Sequence, residues 1–258
     1  MKTTRALAAF TVIILFSSLV YFCLSKGAFA EEEKSRKVLN RAFEVGEKQT
    51  FAIKWGVVTA GYATLEVRGL VEIDGHETYE IVSEANSSSF FDVFYKVRDT
   101  VRSYIDKDGI FALRFEKYQR EGKYRHDEII IYDQKNHKAD FNGRIIEIPE
   151  YVHDILSAFY YVRTQKLEIG KTLKMPVNAG DRNYELIVKV LRKERVKVPK
   201  GKFDTILIEP VVKYGGLFQQ KGRLQVWLTD DERKIPVLMR TKIAVGSIDA
   251  ELSELWLP

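Results

Sequence analysis

The sequence predicts a mainly β domain with one central helix, and three observations predict it. Apolar and polar residues alternate over most of the chain, the period of half-buried strands. Turn signals such as Asp74-Gly75 and Asn142-Gly143 recur roughly every ten residues, as in sandwiches and barrels. One stretch, Ile148–Leu167, instead has helical spacing, with Val152, Ile155, Leu156, Phe159, Tyr160, Val162 and Leu167 on one broad apolar face. The helix is expected near 149–167, with Pro149 in its first turn, Glu150 at the positive end of its dipole, and Lys166 and Gly170 at its close. A lone amphipathic helix must bury its face, and the concave side of a curved sheet offers the place.

The chain opens on an export pattern. Lys2 and Arg5 precede an apolar run from Ala6 to about Leu24, and Ala28-Phe29-Ala30 has the small-x-small form of a signal-peptidase site. Residues 1–30 read as a signal peptide cleaved after Ala30, which places the protein in the periplasm. The competing reading is an uncleaved anchor, since the run approaches the ~20 residues that span a bilayer; it would associate the protein with the inner membrane. Residues 31–48 are charged and read as a flexible leader, leaving 49–258 as a single β-rich domain.

Within that domain the strands are expected at Gln49–Val58, Tyr62–Val71, Tyr79–Ala85, Val97–Ile105, Ile110–Gln119, Lys123–Tyr132, His137–Phe141 and Arg144–Ile148. Gly56 and Gly61 are expected to bracket a tight connection, and Asn86–Ser89 to form a polar loop before the aromatic run Phe90–Tyr95. After the helix come Lys171–Val177, Tyr184–Leu191, Glu194–Val198, Phe203–Val212, Gly222–Leu228, Ile235–Thr241 and Ser247–Trp256.

Charge and composition exclude several functions. Cleavage removes Lys2, Arg5 and Lys26 but no acid, leaving 38 basic and 36 acidic residues in a mature chain of 228. No long basic stretch remains, so nucleic acid is not an expected partner. The single cysteine, Cys23, leaves with the signal, and with it any disulfide, thiol nucleophile or thiolate metal site. His76, His126, His137 and His153 lack metal-site spacing; no metal and no cofactor is expected.

No catalytic residue is assigned. Ser157, His153 and Asp154 are too close in sequence to converge from one helix, and no nucleophile elbow surrounds the serine. Asp230, Asp231 and Glu232 have the composition of a glycosidase pair but sit between two strands, where a turn is the default. The residues that stand out are structural or apolar. Asp154, Arg163, Asp231 and Arg233 are expected to lock helix to sheet. Trp55, Phe90, Phe91, Phe94, Phe159, Tyr160 and Trp227 are candidates to line an apolar ligand cavity, with a filled core as the alternative.

Four stretches resemble one family: Trp55–Ala63 (WGVVTAGYA), His153–Arg163 (HDILSAFYYVR), Val196–Phe203 (VKVPKGKF), and Val226–Pro236 (VWLTDDERKIP) followed by Val245–Ile248. The likeness runs from about Phe51 to Leu255 and departs at Ile155, where proline would be expected. It is to the exported bacterial proteins of domain of unknown function 3108. The resemblance implies an envelope address and a single strongly curved, spiral antiparallel sheet wrapped round the helix. That open barrel is similar to the periplasmic lipoprotein carriers, and the step from shape to lipid is analogy. The function expected is therefore a non-enzymatic envelope protein that binds or chaperones a lipid, acyl chain or lipoprotein. A structural scaffold with a filled core and an enzyme acting on envelope glycan are the alternatives.

Overall fold

The computed structural model describes residues 36–214, 217–219, 223–242 and 246–258, and Lys37–Pro258 forms one compact unit. The expected signal segment, its cleavage after Ala30, and the ends of two expected features at Gly222 and Val245 lie outside the described residues.

Strand patterning yields β1 (Lys48–Trp55), β2 (Val58–Ile73), β3 (His76–Ser87), β4 (Arg98–Asp106), β5 (Ala112–Glu121), β6 (Tyr124–Asp133), β7 (Lys138–Phe141) and β8 (Arg144–Glu147). A short helical turn, α1 (Ser89–Asp92), joins β3 to β4, so the expected polar loop at Asn86–Ser89 is half strand and half helix start. The main helix is α2 (Ile155–Thr164). Then follow β9 (Thr172–Ala179), β10 (Arg182–Val198), β11 (Gly201–Tyr214), β12 (Leu217–Gln219), β13 (Arg223–Thr229), β14 (Pro236–Lys242) and β15 (Ser247–Trp256). The two strands expected at Tyr184–Leu191 and Glu194–Val198 are one, because a bulge between Val190 and Arg192 bends β10 without ending it.

All strands join one antiparallel sheet in the order β8-β7-β6-β5-β4-β3-β2-β1-β15-β14-β13-β11-β10-β9, with β12 beside β11. The first and last strands, β1 and β15, pair in the middle, and bulges at Ala60, Arg68, Leu113, Val237 and Ser253 sharpen the local twist of β2, β5, β14 and β15. The strand ladder does not close. Its two edges, β8 and β9, are consecutive in sequence, and the connection between them covers the gap. The His153 N–H donates to Pro176 O (3.0 Å), the His153 carbonyl accepts from Asn178 N (2.7 Å), and Val152 O accepts from Ala112 N on β5 (3.3 Å). An exposed edge invites pairing with another chain, and this segment blunts β9.

That pairing also explains why the helix starts later than its apolar pattern suggested. Pro149 is not in its first turn. Tyr151 has φ 51°, outside helical space, and Asp154 caps the helix instead. The Asp154 carboxylate accepts from Leu156 N (2.7 Å) and Ser157 N (3.0 Å), while Ser157 Oγ accepts from Asp154 N (2.9 Å), a reciprocal capping box. The helix ends at Gln165, so Lys166 and Gly170 lie beyond it.

Gly61 is not a turn residue either. It sits inside β2, where an added Cβ would lie 2.2 Å from the Asn86 carbonyl oxygen. The β2–β3 pair approaches this closely only over glycine.

The residues read as a flexible leader are folded in from Val38, whose N–H donates to Asp108 O (2.7 Å). Ala42 and Phe43 are buried in the main core with Phe51, Leu65, Ile81, Leu207, Leu252 and Tyr160. Glu47 is wholly buried against Arg163 of α2. The guanidinium grips both carboxylate oxygens (2.6 and 2.9 Å) and donates to the carbonyls of Ala42 (3.0 Å) and Arg233 (3.0 and 3.2 Å). The helix–sheet lock thus exists, but its acid is Glu47, not Asp231. Asp231 caps its own turn, accepting from Arg233 N and Lys234 N, both at 3.0 Å, and Arg233 contributes its carbonyl while its side chain reaches Glu44. Leader and helix carry charges that are both desolvated, and each charge becomes tolerable only by meeting the other.

Removing Glu47 strands that guanidinium. Glu47→Ala is expected to cost about 3–5 kcal/mol, a fall in melting temperature on the order of 10 °C. The double replacement Glu47→Leu with Arg163→Met removes both charges and should recover most of the loss. Thermal unfolding followed by circular dichroism decides; no recovery in the double variant would show that the pair's charge is not what matters.

Candidate ligand cavity between helix and sheet

The helix has two buried faces. Ser157, Tyr160 and Arg163, three residues apart, turn toward the ion pair and the main core. Ile155, Leu156, Ala158, Phe159 and Val162 turn the other way and line a cavity of about 390 Å³. The opposite wall comes from both halves of the sheet: Phe51, Ala63 and Leu65 on β1 and β2, Leu186 and Val188 on β10, Ile208 on β11, Val226 on β13 and Met239 on β14. β10, β11 and β13 contribute alternate residues, as period 2 requires, while β2 contributes Ala63, Thr64 and Leu65 in succession.

The lining is apolar throughout except for Thr64 and Ser83, and no charged side chain faces it. Ile155 at its edge is 60% exposed, and Leu156, Phe159 and Met239 are only half-buried, so the cavity opens to solvent. An apolar solute entering would remove that surface from water at about 25 cal/mol per Å². A sugar, nucleotide or ion would lose hydration without recovering hydrogen bonds. The volume lies at the low end of the range for small-molecule sites.

Of the residues expected to line a cavity, Phe159 alone does so. Tyr160 is buried on the other face of the helix, its ring edge-on to Phe43 at 4.6 Å. Trp227 alternates away from Val226, donates its ring N–H to Glu194 (2.7 Å) and lies under the Arg240 guanidinium (5.7 Å). Trp55, Phe90, Phe91 and Phe94 lie at one end of the sheet; all but the half-buried Phe91 are exposed. The lining is mostly aliphatic, and its sheet residues looked like ordinary strand core in the sequence. The one available signal was the helix, whose apolar positions were too many for a single face.

Three carboxylates suspected of chemistry point to three partners. Asp230 pairs with Lys193 (2.6 Å), Asp231 caps its turn, and Glu232 reaches Arg41 (3.6 Å). Asp154 accepts from Ser103 Oγ (2.6 Å) beside its cap bonds, tying the helix start to β4; it does not pair with Arg163 or Arg233. Burial outweighs these hydrogen bonds and raises its carboxyl above the ordinary range. His126 and His137 stand at opposite ends of β6, and among the described residues no three His, Cys, Asp or Glu side chains cluster as metal ligands. No helix of the described residues is long and apolar enough to cross a membrane.

The model of the family described as protein of unknown function, DUF3108, matches residues 50–253. No curated protein matches the chain in sequence. Among solved structures, a β-barrel-like protein of domain of unknown function DUF1849 from Brucella abortus is similar over 84% of this chain and 99% of its own, with 12% identity and a TM-score of 0.59. That likeness is one of fold. A protein described as a "putative lipoprotein" from Parabacteroides distasonis aligns over 86% of this chain and all of its own at 7% identity, with a TM-score of 0.37.

The raised Asp154 carboxyl sets a pH dependence. The folded state holds this proton more tightly than the unfolded chain, so the native fold gives up stability as pH rises from about 4 through the folded pKa. Asparagine caps as well as aspartate without ionising. Asp154→Asn is therefore expected to gain on the wild type as pH rises from about 4 to 7; melting temperatures across that range check it, and a difference that is flat or of opposite sign removes the argument.

Proposed function

The chain belongs to the DUF3108 family of proteins of unknown function, and from that membership and the cavity together we propose that it is an exported envelope protein that binds an apolar or amphipathic ligand of the acyl-chain class. The observation that carries the reading is an open cavity of about 390 Å³ walled almost wholly by apolar side chains, with no charge. An unfilled apolar surface beside a well-packed core costs stability unless something uses it. Phe159, Leu156 and Ile155 of α2 act as the wall under which the chain slides, and Thr64 and Ser83 supply hydrogen bonds for a carbonyl or hydroxyl near its polar end.

In this reading the sheet curls round α2 as an open barrel of the kind that carries lipids or lipoproteins, and the N-terminal segment is a signal removed after Ala30. The protein works by binding and release. Asp230, Asp231 and Glu232 each have a separate structural partner, which leaves a glycan-hydrolysing role without a carboxylate pair facing one cleft. The scaffold reading draws on the Arg163–Glu47 lock, but a lock on one helix face is compatible with a ligand on the other.

The test is displacement of a fluorescent fatty acid from the purified protein. Ala63→Trp fills the cavity and Phe159→Asp places a charge in it; each is expected to weaken probe binding at least about tenfold, or roughly 1.4 kcal/mol. Ile145→Ser, exposed and outside the cavity, serves as control and should bind as the wild type does. Folded cavity variants that bind the probe unchanged would overturn the assignment.

A further inference from the structure

Antiparallel neighbours end together, so the sheet has two rims. At one of them Trp55 pairs with Ile248 and Val58, Ser88 N donates to Ala60 O (2.9 Å), and Gly122 N donates to Lys96 O (2.7 Å). These contacts join the β1–β2 turn, the α1 segment and the β5–β6 turn into one surface. Its side chains are large, apolar and turned outward: Val57 is 96% exposed, Val93 81%, Phe94 73% and Phe90 67%, with Trp55 and Tyr95 about half so. Phe90 and Phe94 touch only at ring distance (5.7 Å), and Tyr95 packs over Gly122. Elsewhere exposed apolar residues are scattered; a concentration of this kind marks an interaction surface.

Most of the charge around it is paired. Among the described residues at this rim Asp92 pairs with Arg98, Asp127 with Arg120, Asp181 with Arg144, and Glu209 with Arg223. Lys96, Lys123, Arg125 and Lys242 form no ion pair, and Asp99, Glu121 and Asp140 are carboxylates without a cationic partner, so the balance is slightly basic. The cavity reaches the same rim. Arg223, Lys242 and Ser247 are paired at the strand ends beside Trp55, and Leu224, one residue in, lines the cavity.

We propose that this rim docks on an anionic lipid bilayer, with Trp55, Phe90 and Phe94 in the headgroup region and Lys96, Lys123 and Arg125 facing lipid phosphates. Aromatic side chains prefer that interface, and basic ones add attraction to anionic lipid. Docking there sets the cavity's edge against the membrane, so an acyl chain passes between them with little exposure to water. The proposal rests on the carrier reading for its cargo alone; the docking stands or falls by itself.

The tryptophans make it testable. Of the three, Trp55 is at this rim, Trp256 is at the opposite end, and Trp227 is buried. The mature chain obtained by expressing the full sequence is mixed with vesicles of brominated phosphatidylcholine and phosphatidylglycerol. With Trp256→Phe, emission from Trp55 should be quenched, less so at high salt and less in vesicles of phosphatidylcholine alone. With Trp55→Phe, quenching should be absent. Phe90→Ser with Phe94→Ser should weaken vesicle binding at least about tenfold and leave fatty-acid binding unchanged. Equal quenching at both tryptophans, or none at either, overturns the proposal. So does a dimer that light scattering finds in solution and that the two serine substitutions dissolve, since the rim would then serve a second copy. A failed carrier reading shows instead as absent fatty-acid binding with Trp55 still quenched.

Discussion

The buried bidentate pair of Arg163 and Glu47 is the constraint on which the rest of the structure depends. Both side chains are inaccessible to water, and an isolated charge at that depth would not be tolerated. The guanidinium directs its donors to Glu47, Ala42 and Arg233, which belong to the chain before β1 and to the β13–β14 turn. Gln49 adds a hydrogen bond to the same carboxylate (2.8 Å), and the rings of Phe43 and Tyr160 flank the guanidinium at 5.6 and 5.0 Å. One side chain therefore holds three segments remote in sequence. A hydrophobic contact could have packed them, but it would not have specified which segments meet or in which rotation the helix lies.

Helix rotation decides what the other face does. With Arg163 and Tyr160 turned to the ion pair, Ile155, Phe159 and Val162 are left facing the strands across a gap. The capping box at Asp154 and its bond to Ser103 fix the opposite end of the helix. A helix held at both ends cannot drift down to fill the space beneath it, and strands bent by bulges cannot flatten to meet it. The cavity is a consequence of those two anchors, and its apolar lining sets the chemistry of what enters.

The same connection that carries the helix solves the edge problem. β8 and β9 are the free edges of one long sheet, and Val152–Asp154 lies between them, bonded to β5 on one side and β9 on the other. Pro176 is tolerated on β9 because its missing N–H falls on the side of the edge strand that faces no ladder partner, and its carbonyl on that side accepts from His153. With the edge covered there, large exposed apolar side chains concentrate at the rim formed by the β1–β2 turn, α1 and the β5–β6 turn.

The sequence by itself determined the strands, their turns and the presence of one helix, because alternation, Asx-Gly turns and helical spacing are local properties written within ten or twenty residues. The β2–β3, β5–β6 and β7–β8 turns stand where Asp74-Gly75, Glu121-Gly122 and Asn142-Gly143 placed them, whereas the β1–β2 turn falls at Gly56-Val57 and leaves Gly61 inside a strand. Sequence singled out Arg163 and Asp154 as residues that hold the helix, but not the partners they have, which are Glu47 and Ser103. It did not show that Glu47, more than a hundred residues away, is the partner of Arg163, that Ala42, Phe43 and Glu47 are buried, or that Trp55 and Phe94 face outward while Val188 and Met239 line a cavity. An apolar side chain has the same pattern whether it meets a neighbour, a ligand space or water. Which of these it meets depends on strand order and helix rotation, and those are set by contacts between segments that have no period in common.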